Sequence, residues 1–85
     1  MKPKSKLAFT KEFLRRLKQL DKQTQIRILK NLKTLEEDPF AGKQLTGRLT
    51  GLFSLRVGDY RIIYQPSKSI IIIRTVGHRK MVYKR

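Results

Sequence analysis

Residues 52–65 constrain the fold more than any other segment, because their alternating pattern is that of a β-hairpin. Two runs rich in β-branched and aromatic residues flank Gly58-Asp59, a dipeptide typical of two-residue hairpin turns. With the turn placed there, one face of the hairpin is wholly apolar or aromatic and must meet the core. On the other face Arg56 lies opposite Arg61, and like charges in that position destabilise a ladder. An anionic ligand at this face would relieve the repulsion.

Two amphipathic helices are predicted before the hairpin. Thr10 and Asp21 each precede a run of apolar residues at helical spacing, and both are good N-cap residues. Three acids at 36–38 followed by Pro39 end the second helix, because they oppose its dipole and proline restricts the residue before it. The predicted apolar stripes are Phe13, Leu14, Leu17 and Leu20 in the first helix and Ile28, Leu29, Leu32 and Leu35 in the second.

The remaining pattern completes an α+β plan. A short first strand is predicted at 7–9, a loop at 39–51 and a last strand at 70–76 that Gly77 ends. Four consecutive isoleucines at 70–73 predict a central strand buried on both faces. The 85 residues suffice for one domain, residues 1–85. In it, two N-terminal helices pack on one face of a small, mainly antiparallel twisted sheet.

Charge is the dominant feature of the composition. The chain carries 21 Lys and Arg against 6 Asp and Glu, a formal net charge of +15. A net charge of this size destabilises the compact state by self-repulsion. It therefore points to a polyanionic partner, either nucleic acid or an acidic protein. After Asp38 the only acid is Asp59, which makes the strand half almost purely cationic.

Several classes of protein are disfavoured by what the sequence lacks. It has no cysteine and one histidine, so no metal-ligand cluster is expected, and no phosphate-binding loop or cofactor motif is present. The longest apolar run, at 70–73, is too short to span a membrane, and the N-terminus does not resemble a signal peptide. We therefore expect a cytoplasmic protein that needs neither a metal nor a cofactor.

Three motifs in order resemble the RelE/ParE superfamily of toxins, most closely its RelE-like branch. They are LTGRLTGL at 45–52, RVGDYRIIY at 56–64 and VGHR at 76–79. The resemblance implies a RelE-like fold and a type II toxin–antitoxin system. RelE-like members cut mRNA in the ribosomal A site with the ribose 2′-OH as nucleophile, whereas ParE-like members act on DNA gyrase. Both kinds are neutralised by a cognate antitoxin, a segment of which folds around the toxin.

The resemblance also implies catalytic residues. Arg61 matches the arginine at the scissile phosphate, and Arg79 matches the second catalytic arginine. Tyr83 matches a tyrosine that stacks on the nucleotide or moves a proton, and Arg56 matches a basic position of the same hairpin. His78 is assigned to proton transfer because imidazole exchanges protons near neutral pH. Five further residues are predicted to contact RNA phosphates: Lys43, Arg48, Lys80, Lys84 and Arg85.

The sequence departs from the family pattern at the general base. RelE-like lysines are replaced here by Leu52 and Ser54, and the loop before the hairpin has no acid. Three functions therefore stay open. The first is a ribosome-dependent, metal-independent mRNA endoribonuclease, with the antitoxin, the ribosome and mRNA as partners. The others are a ParE-like gyrase inhibitor and a non-catalytic RNA-binding module.

Overall fold

A five-stranded sheet with two helices on one face makes up the computed structural model, which describes residues 5–78 and residue 80. The spatial order of the strands is β1-β5-β4-β3-β2. This α+β arrangement confirms the predicted fold class. The helices are α1 (Lys11–Lys18) and α2 (Lys22–Lys33), and the strands are β1 (Lys6–Phe9), β2 (Lys43–Gln44), β3 (Phe53–Val57), β4 (Tyr60–Pro66) and β5 (Ile70–His78).

Strands β3, β4 and β5 form the antiparallel meander that the sequence predicts. Strand β1 joins it as a parallel partner of β5, which places β5 in the interior of the sheet. Strand β2 pairs with β3 inside the segment predicted as a loop. Gly77 does not end the last strand, because it pairs with Arg61 and the strand continues to His78.

The isoleucine run is buried on one face only. Ile71 and Ile73 are fully buried, whereas Ile72 is half-buried and Ile70 is 45% exposed. The prediction of burial on both faces is therefore wrong, although the central position of the strand is correct. The reason is that α1 and α2 both pack on the face that Ile71 and Ile73 share.

Both predicted helix caps are present. The Thr10 hydroxyl accepts a 3.1 Å hydrogen bond from the Phe13 N–H, and the Asp21 carboxylate accepts one of 3.3 Å from the Thr24 N–H. The α-helical conformation of α2 ends at Lys33, and one 3₁₀ turn (Thr34–Glu36) follows, which includes the first residue of the acidic run.

The core lies between the helices and one face of the sheet. Leu14 and Leu29, predicted as core residues, are about two-fifths exposed because they lie at the margins of their helical stripes. Each fully buried aliphatic side chain contributes roughly 1.5–3 kcal/mol. The buried helical members are Phe13, Leu17, Ile28, Leu32 and, in the 3₁₀ turn, Leu35; the buried strand members are Val57, Ile62, Tyr64, Ile71, Ile73 and Val76.

None of the helices in the described part of the chain has the length and apolar character needed to cross a membrane.

Candidate nucleic-acid interface

Arg56 and Arg61 face each other across the β3–β4 ladder, as the hairpin pattern predicts. Their sequence neighbours Leu55 and Ile62 form the next pair and belong to the core or pack against it. Side chains alternate along a strand, so the two arginines lie on the face away from α1 and α2. We call this surface the arginine face. Its members on β3, β4 and β5 are Ser54, Arg56, Arg61, Ile63, Thr75 and Gly77.

The two arginines are held close together at the turn end of the hairpin. Residues directly opposite in an antiparallel ladder have Cα atoms about 4.5–5.5 Å apart. Arg56 is exposed and its Nε–H points at the carbonyl oxygen of Gly58, 3.4 Å away. Arg61 is half-buried. Asp59, the nearest acid in sequence, forms no ion pair with Arg56 in the described structure.

A row of small and apolar residues lies beside the arginines. Ser54, Ile63 and Thr75 are register partners across β3, β4 and β5, and Lys43 extends the row onto β2. The hydroxyls of Ser54 and Thr75 are buried and have no hydrogen-bond partner within the described residues. Gly77, opposite Arg61, adds no side chain to the face. A ligand on this face would contact small and apolar side chains, with the cationic side chains of Lys43, Arg56 and Arg61 beside them.

His78 lies on the other face of the sheet. Its register partner is Tyr60, and the two rings meet edge to face with centroids 6.0 Å apart. The backbone N–H of Lys80 donates a 3.2 Å hydrogen bond to Nδ1, so a neutral ring carries its proton on Nε2. The structure therefore brings Arg56 and Arg61 together without His78, whose predicted proton-transfer role stays a prediction.

Of the predicted RNA contacts in the described part of the chain, only Lys43 is in register with the arginine face. Lys43 is exposed on β2, Arg48 is exposed in a 3₁₀ turn (Gly47–Leu49), and Lys80 is exposed beside His78. Four other predicted site residues lie outside the described residues: Arg79, Tyr83, Lys84 and Arg85.

In residues 5–78 and residue 80, no three acidic or histidine side chains lie close enough together to hold a metal ion. Two of the described acids are engaged on the helices. Glu12 pairs with Arg16 at 3.5 Å, and Asp21 caps α2. Hydrogen bonds from the Thr24 hydroxyl and backbone hold the pKa of Asp21 below its usual value. The arginine face receives neither carboxylate.

One feature was not predicted from the sequence. A cavity of about 170 Å³ lies between α2 and the β3–β4 turn, on the helix side of the hairpin. Arg27 of α2 lines it together with Asp59 and Tyr60. The charged and aromatic character of these residues is the only hint of a binding site in the sequence. Their proximity depends on how α2 packs against the hairpin.

Comparison with known proteins identifies the family. The family model for the ParE toxin of the type II toxin–antitoxin system parDE matches residues 7–83. A comparison with curated protein sequences gives no match.

Solved structures of similar fold include toxins named RelE and YoeB. The toxin–antitoxin complex RelBE2 from Mycobacterium tuberculosis contains a chain of 30% identity and TM-score 0.81, with 91% of this chain and 99% of that chain covered. The archaeal RelE–RelB complex from Pyrococcus horikoshii contains one of 28% identity and TM-score 0.77, with 93% and 99% covered. The YoeB dimer from Staphylococcus aureus shares the fold. Its chain has 22% identity and TM-score 0.75, with 89% of this chain and 98% of that chain covered. The chain is therefore a toxin of the RelE/ParE superfamily from type II toxin–antitoxin systems.

Proposed function

We propose that this toxin cleaves mRNA on the ribosome without a metal ion. The observation that carries the proposal is the Arg56–Arg61 pair on the face of the sheet that neither helix covers. The relatives of 30% and 28% identity, both named as RelE-type complexes, support the RelE-like reading. Action on the ribosome requires a cytoplasmic location.

The reaction is an internal transfer at phosphorus. The ribose 2′-oxygen attacks the adjacent phosphorus, the bond to the 5′-oxygen breaks, and the products carry a 2′,3′-cyclic phosphate and a 5′-hydroxyl. One proton leaves the 2′-hydroxyl and one is added to the 5′-oxygen. Negative charge builds on the phosphoryl oxygens in between, where a planar guanidinium can donate two parallel hydrogen bonds. One well-placed donor of this kind is worth roughly 3–4 kcal/mol of barrier.

Proton transfer is the weaker part of the proposed mechanism. The members of the arginine face supply hydroxyls, from Ser54 and Thr75, but no carboxylate or imidazole. Charge stabilisation by Arg56 and Arg61, with the substrate oriented by the ribosome, would then carry most of the rate. Arg79 and Tyr83 are proposed to complete the site from the family resemblance alone.

A cognate acidic antitoxin is the proposed partner in the resting state. The two RelE-type relatives were solved as complexes with RelB-type antitoxins. A net charge of +15 favours an acidic segment laid over the cationic strands, because it would relieve the self-repulsion of the toxin.

Inhibition of DNA gyrase is the second candidate function. It is favoured by the ParE toxin model, which matches 77 of the 85 positions as the span 7–83. Under this alternative the toxin cuts no RNA, and the arginine face would contact a protein or DNA surface.

Primer extension on mRNA in a translating extract tests the proposal. We expect discrete cuts within codons that are lost in Arg61→Ala and in Arg79→Ala. Arg15→Ala is the matched control. Arg15 is exposed on α1, so this substitution removes the same charge from the helix side of the sheet. Intact mRNA with blocked gyrase supercoiling would replace the proposal by the second candidate. Intact mRNA, normal supercoiling and salt-dependent RNA binding would indicate a non-catalytic binding module.

A further inference from the structure

The cavity between α2 and the β3–β4 turn has the chemistry of a nucleobase site. We infer that it binds a guanine base from the RNA that crosses the arginine face. The inference rests on the proposed function, since that RNA supplies the base. The residues that line the cavity are Thr24, Arg27, Val57, Gly58, Asp59 and Tyr60.

The position of Arg27 ties the cavity to the hairpin turn. A Cβ placed on Gly58 would lie 3.6–3.9 Å from three atoms of the Arg27 guanidinium, so this group lies against the turn. From the other side of the sheet, the Nε–H of Arg56 points at the Gly58 carbonyl oxygen. The turn therefore separates the cavity from the arginine face by the thickness of one backbone. RNA on Arg56 could deliver a neighbouring base around the turn.

The walls of the cavity suit a flat ring. Its volume of about 170 Å³ equals roughly six water molecules at ~30 Å³ each. Splayed bases in RNA complexes stack on aromatic side chains and on guanidinium planes, and Tyr60 and Arg27 offer one of each. The edge-to-face contact with His78 supports the Tyr60 ring from outside.

Asp59 decides which ligand fits. Neither Asp59 nor Arg27 forms an ion pair with another described residue, so the carboxylate keeps its capacity to accept hydrogen bonds. An ionised carboxylate only accepts hydrogen bonds, so it cannot bond a fully ionised phosphate, whereas it can bond a base edge that presents N–H groups. Guanine presents two adjacent N–H donors on its Watson–Crick edge, which match the two carboxylate oxygens. Uracil presents a single N–H between two carbonyl acceptors, which would face the carboxylate.

Binding of neutral nucleosides tests this inference. Guanosine, adenosine, cytidine and uridine are titrated into the wild-type protein while the backbone amide signals are followed by NMR. Because a nucleoside has no phosphate, the large positive charge of the protein does not favour it. We expect guanosine to bind at least about tenfold more tightly than uridine, with shifts at 57–60 and 24–27. Equal affinities, or shifts confined to the arginine face, would overturn the inference.

Two matched acid-to-amide variants sharpen the test. Asp59→Asn replaces one acceptor by a donor, and we expect it to weaken guanosine binding about tenfold. Asp38→Asn removes the same charge outside the cavity and should leave the affinity unchanged. Unfolding followed by circular dichroism verifies that both variants fold. Unchanged guanosine affinity in Asp59→Asn, or an equal loss in both variants, would refute the guanine site.

The nucleoside-binding test of the guanine site and the mRNA-cleavage test of the proposed function can fail separately. Selective guanosine binding by a protein that leaves mRNA intact would keep the site and reject the proposed nuclease function. Cleavage of mRNA by a protein that binds all four nucleosides alike would keep the nuclease function and reject the guanine site.

Discussion

The hydroxyl of Tyr64 accepts a 2.9 Å hydrogen bond from the backbone N–H of Gly42. Tyr64 is fully buried in the middle of β4, and Gly42 immediately precedes β2. The contact therefore anchors the long loop to the core at the point where Lys43 joins the edge of the arginine face.

Gly42→Ala is expected to destabilise the protein by about 1–3 kcal/mol. A Cβ there would lie 2.6 Å from the Tyr64 hydroxyl oxygen and 2.7 Å from the Ser54 carbonyl oxygen, which a packed strand cannot move freely. Urea unfolding measures the change. In a Tyr64→Phe background the cost of the same substitution should fall, because one of the two close contacts is gone. An unchanged unfolding midpoint in Gly42→Ala would contradict the packing at this site.

Stability should decline at high pH through Tyr64. Burial raises the pKa of its hydroxyl above the usual value near 10, outweighing the hydrogen bond from Gly42, which lowers it. Since the folded pKa exceeds the unfolded one, the contribution is intact below about pH 10 and is lost as the pH rises through the folded pKa. Urea unfolding from about pH 9 to about pH 11.5 tests this. Tyr64→Phe should decline less steeply, and parallel curves would contradict the expectation.

Arg56→Gln is expected to stabilise the protein slightly. Removing one of two like charges in direct opposition should raise the free energy of unfolding by about 0.2–1 kcal/mol at low ionic strength. The gain should shrink near 1 M salt, where screening acts over about 3 Å. Arg74→Gln is the control, because Arg74 is an exposed strand arginine at the β4–β5 irregularity. Equal gains in both variants would show that only net charge matters.

Arg61→Lys separates charge from geometry in the proposed reaction. Lysine keeps the positive charge but lacks the planar fork that grips two phosphoryl oxygens. We expect the single-turnover rate of mRNA cleavage in the extract to fall about a hundredfold. Thermal unfolding of the variant verifies that the hairpin is intact. Cleavage at the wild-type rate would remove bidentate phosphate binding by Arg61 from the mechanism.

Thr10 joins the first helix to the last strand. Its hydroxyl caps α1 and donates a 2.7 Å hydrogen bond to the carbonyl oxygen of Arg74, 64 positions along the chain. Thr10→Ala should lower the free energy of unfolding by about 1–2 kcal/mol. Thr10→Ser keeps the hydroxyl and should cost much less. Equal losses in the two variants would assign the effect to the methyl group.

The hairpin was predictable in detail because its turn dipeptide sets the register, and the register sets which face each side chain occupies. The opposition of Arg56 and Arg61 follows from that alone. The short strand β2 has two residues and no periodicity, so nothing local marks it. The continuation of β5 through Gly77 depends on its partner Arg61.

Two features of the site depend on distant parts of the chain. His78 reaches the helix side only because β5 extends past Gly77 in register with β4. The cavity beside Asp59 forms where Arg27 meets the turn, a contact across 31 positions of sequence that no pattern in either segment encodes.

The parallel pairing of β1 with β5 has a consequence for how the toxin is made. The strand synthesised last among those described lies inside the sheet, between β1 and β4. Until residues 70–78 emerge from the ribosome, the first strand has no neighbour, and the helices lack the core residues Ile71, Ile73 and Val76. Such distant pairings are slow to form. A nascent chain therefore cannot complete the β1–β5 pairing or the β4–β5 ladder that carries Arg61 before this strand is available.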